Sequence, residues 1–361
     1  MDKKKWIKHI PLFIIELLVL VVAVGILYVT LRATDSKNGA EKDNLKEENI
    51  AVNEEVKEKV AETEHTEGEE SQYTGIFNLA FFGVDARDGS LGKGNRSDTI
   101  MVCSINMDSH EIRLVSIYRD TFLNLGNDTY KKCNTAYAQG GPEQAIGMIN
   151  MNTDLYVTDY ITVGFEGLKA AIDALGGVEM EITESEITHL NNYQSTMAEE
   201  MGIEYTPVTR PGMQVLNGLQ ATAYCRIRYG GGDDFRRAER QRDVLVAMIE
   251  KSKKASLGTL TDAMNAVLPS VRTSLDVGDI LPVLSMVGDY KVTQSDGFPY
   301  SDMRNGGIIG AEGSCVVPIS LEDNVKRLHE MLYGEKDYEP SKEVKEYSKI
   351  IEEKTKDYLM Y

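Results

Sequence analysis

Apolar runs alternate with helical patterns between residues 76 and 182, and this order restricts the fold more than any other feature of the chain. The apolar runs are rich in β-branched and aromatic residues, as in buried strands, and glycine pairs bound the helical patterns. The predicted elements are strands at 76–84, 99–105, 112–117, 161–165 and 178–182 and helices at 142–152 and 167–175. Strand, helix and strand in succession predict an α/β domain.

Further elements are predicted beyond residue 182. They are helices at 217–225, 234–254 and 342–358 and a late strand at 316–319. We expect the folded domain to cover residues 73–335 and a C-terminal surface helix or tail to cover residues 336–361.

The N-terminus has the pattern of a membrane anchor. Lys3, Lys4, Lys5 and Lys8 precede an apolar run over residues 10–31. As a helix this run would span about 33 Å, and the hydrocarbon core of a bilayer is roughly 30 Å thick. Because lysines favour the cytoplasmic side, residues 1–9 are predicted to be cytoplasmic and the domain to lie outside the cell. A cleaved signal peptide is the alternative, although no small-residue cleavage site follows directly.

Residues 32–72 are predicted to form an acidic, solvated extracellular linker. Thirteen acidic and five basic residues occur between positions 35 and 72, with few large apolar groups. Such a composition cannot bury enough surface to fold alone. Val52, Val56 and Val60 recur every four residues, which leaves a short amphipathic helix open as an alternative.

Charge and cysteine content exclude several classes of function. A formal net charge of -18 argues against nucleic-acid binding, which depends on cationic contacts. The cysteines form no CxxC pair, which disfavours a zinc site and thioredoxin-type redox chemistry and leaves their pairing open. They are Cys103, Cys133, Cys225 and Cys315.

A dense arginine cluster is the strongest chemical signal. Residues 226–242 hold six arginines and no lysine, around a glycine-rich stretch. Arginine is preferred where a planar or tetrahedral anion is bound by two donors, above all phosphate. Arg237, Arg240 and Gln241 would share one face of a helix that begins near Asp233 or Asp234, and the helix N-terminus would add its dipole. A surface ion-pair network is the structural alternative.

Two aspartates and one more arginine stand where strands begin or end. Asp85 closes the first predicted strand and Asp98 precedes the second, so the two carboxylates would meet if these strands are neighbours. Such oxygen ligands suit Mg²⁺ together with phosphate oxygens, with Mn²⁺ as an alternative ion; turn-forming aspartates are the structural alternative. Arg119 follows the third predicted strand and alone carries little weight. Phosphoryl transfer requires mainly positioning and charge neutralisation, which this set can supply.

The ordered motifs resemble those of the LytR–CpsA–Psr family of cell-wall glycopolymer ligases from Gram-positive bacteria. The similarity runs from about Phe77 to Val246. The matching segments are Gly83 to Arg87, Arg96 to Thr99, Ser116 to Asp120, Lys132 to Asn134 with Ala136-Tyr137 and Gly140-Gly141, Asp173 to Val178, Leu216 to Gly218, Tyr224 to Arg228, and Asp234 with Arg237, Arg240 and Gln241.

The resemblance implies a single α/β/α domain with a central mixed sheet and a hydrophobic lipid tunnel. It implies Mg²⁺-dependent transfer of an anionic, teichoic-acid-like or capsule-like glycopolymer from a polyprenyl-pyrophosphate carrier to peptidoglycan. By position, Asp85 and Asp98 correspond to the metal ligands. The catalytic residues implied are Arg96, Arg119 and Asp234, and the pyrophosphate-binding residues implied are Arg87, Arg119, Arg226, Arg228, Arg237, Arg240 and Gln241.

One position departs from the family pattern. The residue before the motif arginine is Tyr118, where the family usually has proline. Tyrosine keeps an N–H donor and adds a ring, so the direction of Arg119 is not fixed by the resemblance. A lipid-pyrophosphate hydrolase and a non-catalytic envelope scaffold that binds lipid remain as alternative functions.

Overall fold

The structure is a computed structural model that describes residues 41–43, 45, 49–65, 75–84, 90–228, 234–275 and 288–360. The predicted anchor over residues 10–31 lies outside these ranges and stays a prediction. Within the described ranges, no helix is both long enough and apolar enough to cross a membrane.

The predicted strands and helices occur in the expected order, with further elements between them and at both ends. The strands are β1 (Glu41–Lys42), β2 (Ile76–Val84), β3 (Ser97–Asn106), β4 (Glu111–Ile117), β5 (Phe122–Asn124), β6 (Tyr130–Lys132), β7 (Asp159–Gly164), β8 (Val178–Ile182), β9 (Gly212–Leu216), β10 (Val271–Thr273), β11 (Lys291–Phe298), β12 (Arg304–Ile309), β13 (Gly313–Pro318) and β14 (Leu359–Met360). The helices are α1 (Glu54–His65), α2 (Asn134–Thr153), α3 (Phe165–Ala174), α4 (Glu184–Met201), α5 (Gly218–Arg226), α6 (Asp234–Ser252), α7 (Leu257–Val267), α8 (Leu321–Tyr333) and α9 (Lys342–Thr355).

A seven-stranded mixed sheet forms the centre of the domain, in the order β1-β10-β7-β2-β3-β4-β11. Strand β2 pairs antiparallel with β3 and parallel with β7, and β4 pairs parallel with β11. This confirms the predicted α/β domain with a central mixed sheet. The carboxyl ends of β2 and β4 and the amino end of β3 lie side by side at one end of the strands.

The two faces of this sheet are covered differently because side chains alternate along each strand. Phe82 and Val102 belong to a fully buried core with α2, α8 and α9. Leu79 and Cys103 point to the other face, towards α6. Several apolar residues on that second side are only partly buried, namely Phe77, Phe81, Ile161, Leu245, Val246, Ile249, Leu275 and Val292. Among the described residues, the α6 side of the sheet is therefore apolar and only partly buried.

The strand predicted over 178–182 is present, but it does not join the central sheet. It pairs with β9 in a separate two-stranded sheet that packs on α4 and α5. Gly177 has φ 86°, and a Cβ there would lie 2.7 Å from the carbonyl oxygen of Leu216. Glycine thus permits the close approach of β8 and β9 directly after α3.

The solvated-linker prediction over residues 32–72 is wrong for part of that segment. Val52 and Val56 are 9% and 1% exposed in the main core, and α1 is the amphipathic helix that their spacing had left open. Asn53 is buried and donates to Asp154 Oδ1 at 2.6 Å and to the carbonyl oxygen of Met151 at 3.0 Å. Buried apolar contacts and the hydrogen bonds of the Asn53 amide therefore hold this segment against the domain despite its acidic composition.

The C-terminal helix is also more than a surface element. Val344 and Ile351 on α9 are 0% and 1% exposed within the main core. Beyond the helix, β14 pairs antiparallel with β12. The predicted tail over residues 336–361 therefore completes the domain, because α9 is amphipathic and buries its apolar stripe.

Candidate functional site

A narrow cleft lies at the end of the sheet where β2, β3 and β4 meet, against the start of α6. Its lining combines charged groups at the rim with hydroxyls and apolar groups deeper in. The lining residues are Asp98, Thr99, Ile100, Ser116, Ile117, Tyr118, Arg119, Asp120, Asp234, Arg237, Ala238, Gln241 and Val316.

A β-bulge presents Asp98 to this cleft. Strands β2 and β3 pair Gly83 with Thr99 and Val84 with Ser97, so Asp98 is the extra residue between two paired positions. Bulges of this kind turn a side chain out of the regular alternation and are common beside active sites. Because Val84 ends β2 next to the bulge, the chain continues into Asp85 from a point adjacent to Asp98. Asp85 itself lies outside the described residues, as does Arg87.

Backbone hydrogen bonds fix the segment that carries Arg119. The amide of Tyr118 donates to the carbonyl oxygen of Phe298 at 3.0 Å, which extends the pairing of β4 with β11. The carbonyl oxygen of Arg119 accepts from the Asn134 amide at 3.1 Å and from Cys133 Sγ at 3.3 Å. The direction of Arg119 is therefore set without the proline that the family usually has before it.

Arg119 stands at the centre of an ion-pair network. Its Nη1 donates to Asp98 Oδ1 at 2.7 Å, and its other nitrogens lie 3.4 Å from Asp120 Oδ2 and 3.4 Å from Asp234 Oδ1. Burial lowers the pKa of Arg119, but the three carboxylates outweigh burial and raise it above its ordinary value. The guanidinium therefore stays charged while 18% exposed.

Arg228 and Arg237 complete the cationic rim. Arg228 lies 4.0 Å from Asp98 and 3.6 Å from Asp234, with 40% of its side chain exposed. Arg237 is only 6% exposed and lies 3.2 Å from Asp234 Oδ1. Arg237 is three residues after Asp234 on α6 and Gln241 is four residues after Arg237, so the helix presents all three to the cleft.

Several polar atoms in the cleft have no hydrogen-bond partner among the described residues. They are Ser116 Oγ, Arg119 Nε, Asp234 Oδ1 and Arg237 Nε. Asp234 Oδ1 is an acceptor and Arg119 Nε lies in an ion pair with Asp120, whereas Ser116 Oγ and Arg237 Nε are donors without a partner in the described parts of the chain. Buried polar groups are usually satisfied, so free donors beside three arginines indicate a site for an anionic ligand.

The carboxyl group of Asp234 is suited to proton transfer. Burial raises its pKa, Arg119 and Arg228 lower it, and the neighbouring carboxyl of Asp120 raises it again, so the net pKa lies above the ordinary value. A carboxylate with a raised pKa is a better proton acceptor near neutral pH than an ordinary aspartate.

Four predicted arginines among the described residues do not line the cleft, although one of them, Arg228, lies beside its carboxylates. Arg240 is 2% exposed, donates to Glu186 Oε1 at 3.0 Å and donates to the carbonyl oxygen of Ile227 at 3.2 Å. The prediction that Arg240 contacts pyrophosphate is therefore corrected: its donors are directed into a buried network below the site. The guanidinium of Arg226 lies 4.6 Å from the centre of the Phe165 ring, and Arg96 is exposed before β3.

Two charged residues that the sequence did not single out belong to the site. Asp120 lines the cleft, and Lys132 Nζ lies 3.2 Å from Asp120 Oδ1. Asp120 directly follows Arg119 and Lys132 directly precedes Cys133, and both belong to matching segments given above. Their place in these segments was the sequence signal that could have identified them as site residues.

Sequence comparison identifies a matching family and named relatives. The model of the LytR_cpsA_psr family matches residues 28–309. The chain is 29% identical over 228 residues to the polyisoprenyl-teichoic acid–peptidoglycan teichoic acid transferase TagU of Enterococcus faecalis, covering 61% of this chain and 70% of that protein. It is 33% identical over 204 residues to the transferase of the same name from Halalkalibacterium halodurans, covering 56% and 62%. The match thus spans somewhat less than two thirds of the second relative's length.

Solved structures share the fold. A protein described as a transcriptional regulator (EF0465) from Enterococcus faecalis matches with a TM-score of 0.61 and 25% identity, over 80% of this chain and 98% of that one. The protein YwtF (TagT) of Bacillus subtilis, with bound octaprenyl pyrophosphate lipid, matches with a TM-score of 0.53 and 19% identity, over 74% and 94%.

Proposed function

Because this chain belongs to the LytR–CpsA–Psr family, we propose that it is a phosphotransferase that moves an anionic glycopolymer from a polyprenyl-pyrophosphate carrier to peptidoglycan. The observation that carries the proposal is that the arginine-lined cleft lies at the end of the same strands, β3 and β4, whose apolar side chains face α6. One end of such a site suits a pyrophosphate and the other suits a hydrocarbon chain. The transferase names of the relatives agree with this choice.

The head group of the carrier would bind among the cations of the cleft. Arg119, Arg228 and Arg237 face three carboxylates at distances from 2.7 to 4.0 Å, and Arg237 keeps an Nε without a hydrogen-bond partner in the described chain. A pyrophosphate would take up these donors and displace the looser contacts. The first turn of α6 adds the favourable end of the helix dipole.

The lipid tail would lie between the central sheet and α6. Thr99 and Ser116 stand on that side of β3 and β4, directly below the charged rim, and Leu114 follows further along β4. Polarity thus falls from charged groups to hydroxyls to hydrocarbon along one direction. Partly buried side chains such as Phe81 and Ile249 could move aside for a prenyl chain, which would then bury their remaining surface.

The described residues fit one carboxylate ligand for Mg²⁺ or Mn²⁺. Asp98 Oδ1 is bonded to Arg119, whereas the nearest cation to Asp98 Oδ2 is Arg228 at 4.0 Å. No group of three or more His, Cys, Asp or Glu side chains within the described ranges is arranged to hold a metal. We propose Asp98 and Asp85 as the protein ligands, with pyrophosphate oxygens completing the shell. A bound divalent ion would stabilise negative charge on the leaving phosphate.

The proposed reaction exchanges one phosphorus–oxygen bond for another. A hydroxyl of peptidoglycan attacks the sugar-linked phosphorus, and the bond from this phosphorus to the bridging oxygen breaks. Polyprenyl phosphate leaves with that oxygen, and Asp234 accepts the proton of the attacking hydroxyl. Arg119 and Arg237 stabilise the charge that develops on the transferred phosphate, because both are held in place and poorly solvated.

The proposal places the domain outside the cell. Residues 10–31 would anchor the chain as a single span with the N-terminus in the cytoplasm, and the carrier would enter from the same membrane. Nucleic acid is not a proposed partner, because the net charge of -18 opposes binding to phosphate backbones.

The proposal is tested by comparing two arginine variants of the full chain in detergent. Transfer from a polyprenyl-pyrophosphate-linked oligosaccharide to peptidoglycan fragments is measured with Mg²⁺ present. Arg119→Ala should reduce transfer at least about 100-fold, since it removes a preorganised charge from the reacting phosphate. Arg236→Ala is the matched control, because Arg236 is 62% exposed, does not line the cleft and forms a surface ion pair with Glu239 at 2.7 Å.

Each outcome selects one function. Loss of transfer in Arg119→Ala with normal melting and normal activity in Arg236→Ala would support the ligase. Release of free sugar phosphate by the wild type would indicate the hydrolase, and tight donor binding without any turnover would indicate a lipid-binding scaffold.

A further inference from the structure

Three side chains form a stack that begins at the cleft lining with Tyr118 and continues outside the lining with Phe235 and Arg304. The guanidinium of Arg304, at the start of β12, lies 3.7 Å from the centre of the Phe235 ring and 4.8 Å from that of Tyr118. The two rings meet edge to face, with centres 4.6 Å apart and planes inclined by 79°. Both the cation–π contacts and the edge-to-face pair are favourable at these distances.

The Tyr118 ring of this stack packs directly against the backbone of Gly297. A Cβ at Gly297 would lie 2.0 Å from Tyr118 Oη and 2.3 Å from its Cζ, so the tyrosine ring rests directly on the glycine backbone. Gly297 pairs with Ser116 across β11 and β4, which puts the ring on the α6 side of the sheet. The hydrogen bond from the Tyr118 amide to the carbonyl oxygen of Phe298 also ties Tyr118 to β11.

The stack joins the two halves of the proposed reaction centre. Tyr118 immediately precedes Arg119, which would hold the donor phosphate, and Phe235 immediately follows Asp234, which would accept the proton. Arg304 bridges their rings from a third element, and its Nη1 is held by the carbonyl oxygen of Pro299 at 3.0 Å. We infer that Tyr118, Phe235 and Arg304 are positioning residues that set the 3.4 Å separation of Arg119 and Asp234.

The inference rests on the proposed function and goes beyond it. None of the three residues has to touch the substrate. In-line transfer requires donor and acceptor groups to be placed within fractions of an ångström, and a displacement of 1 Å can cost about 100-fold in rate. A loosened stack should therefore lower kcat while leaving donor affinity nearly unchanged, because the phosphate-binding arginines remain.

The test is the kinetics of Arg304→Ala against a matched control in the full chain. The control is Arg327→Ala, because Arg327 also stacks on an aromatic ring, 4.1 Å from the centre of Tyr300, and lies outside the cleft lining. We expect Arg304→Ala to lower kcat roughly 10- to 100-fold with KM for the donor within about threefold of wild type. Arg327→Ala should keep wild-type kinetics, and Tyr118→Phe, which retains the ring, should stay within about twofold.

Gly297→Ala is a second, uncharged way to disturb the stack. The added methyl group must push the Tyr118 ring away, so kcat should fall as in Arg304→Ala. Equal loss in Arg304→Ala and Arg327→Ala, or wild-type kcat in both stack variants, would overturn the inference.

A crystal structure of Arg304→Ala separates this inference from the proposed function. The distance between Arg119 Nη2 and Asp234 Oδ1 should increase by about 1 Å or more. An unchanged distance would refute the positioning role even if the reaction proved to be hydrolysis. If the distance changes but the wild type transfers nothing to peptidoglycan, the proposed function fails and the positioning role stands.

Discussion

Replacing Arg240 with alanine should destabilise the domain strongly, because this arginine belongs to a buried ion pair. Arg240 and Glu186 are 2% and 3% exposed. Removing one partner of such a pair costs about 3–5 kcal/mol, since the remaining charge stays buried without compensation. Glu186 keeps two hydrogen bonds from Thr183, at 2.8 and 3.0 Å, so we expect the lower end, about 3 kcal/mol.

The assay is thermal unfolding of Arg240→Ala beside a control on the same helix. A loss of 1 kcal/mol lowers Tm by about 2–4 °C in a domain of this size, so Tm should fall by roughly 6–12 °C. Arg236→Ala removes an exposed pair with Glu239 and should change stability by no more than about 0.5 kcal/mol. A fall below about 2 °C for Arg240→Ala, or equal falls in both variants, would refute the reasoning.

The stability difference should also depend on pH. Burial raises the pKa of Glu186, but hydrogen bonds from Thr183 and Arg240 outweigh it and hold the pKa below its ordinary value. The stabilisation is therefore present above the unfolded pKa of about 4.3 and is lost as pH falls through the folded pKa. The Tm gap between wild type and Arg240→Ala should narrow below about pH 4. Donor affinity measured well below Tm should be unchanged, because Arg240 does not line the cleft.

Three further predictions concern the general base, the thiols and the N-terminal segment. In the wild type, the acid limb of the pH–rate profile should lie above the ordinary aspartate range, because the pKa of Asp234 is raised. Asp234→Asn should abolish this limb. An unchanged acid limb in the variant would contradict the role of Asp234 as the general base. The native protein should resist iodoacetamide as judged by mass spectrometry, because burial raises the pKa of Cys315 to about 11 and those of Cys103 and Cys225 to about 12; rapid labelling would show that these sites open. Val56→Ala should cost about 1.5–3 kcal/mol in urea unfolding, whereas no change is expected if residues 49–65 are a solvated linker.

Local patterns were sufficient for most elements of the domain. Strands β2, β3 and β4 lie where their β-branched runs predicted, and α6 begins at Asp234 as its spacing to Arg237 and Gln241 indicated. Helix α2 extends from Asn134 to Thr153, and its interruption at Gly141, with φ 70°, explains why the pattern only became helical at Pro142. Strand runs, helix starts and helix interruptions depend on residues that are close in sequence, so a single sequence is enough to predict them.

Contacts between distant parts of the chain could not be predicted in this way. Arg240 pairs with a glutamate 54 residues earlier, so its burial is invisible in the arginine-rich motif. Tyr118 rests on Gly297, which is far away in sequence and lies on a strand that the sequence did not predict. The side-chain Nδ2 of Asn53 donates to Asp154 and Ser341, which helps an acidic segment with few apolar residues to pack on the domain. Each of these contacts depends on how distant segments pack together, which local sequence patterns do not reveal.

The cysteine pairing left open by the sequence is resolved within the structure. All four cysteines are buried and free. Cys133 donates its Sγ hydrogen to the carbonyl oxygens of Tyr118 and Arg119, at 3.2 and 3.3 Å. This thiol therefore helps to hold the segment that carries the central arginine.

The most direct test of the proposed function follows the sugar-linked phosphate of the donor. The full chain is incubated with Mg²⁺, peptidoglycan fragments and a polyprenyl-pyrophosphate-linked oligosaccharide that carries radioactive phosphorus only at the sugar-linked position. A phosphotransferase should move the label into a covalent glycan–phosphate–peptidoglycan product, and Arg119→Ala should leave it in the lipid. Label released as soluble sugar phosphate, or product formed without label, would contradict the proposal.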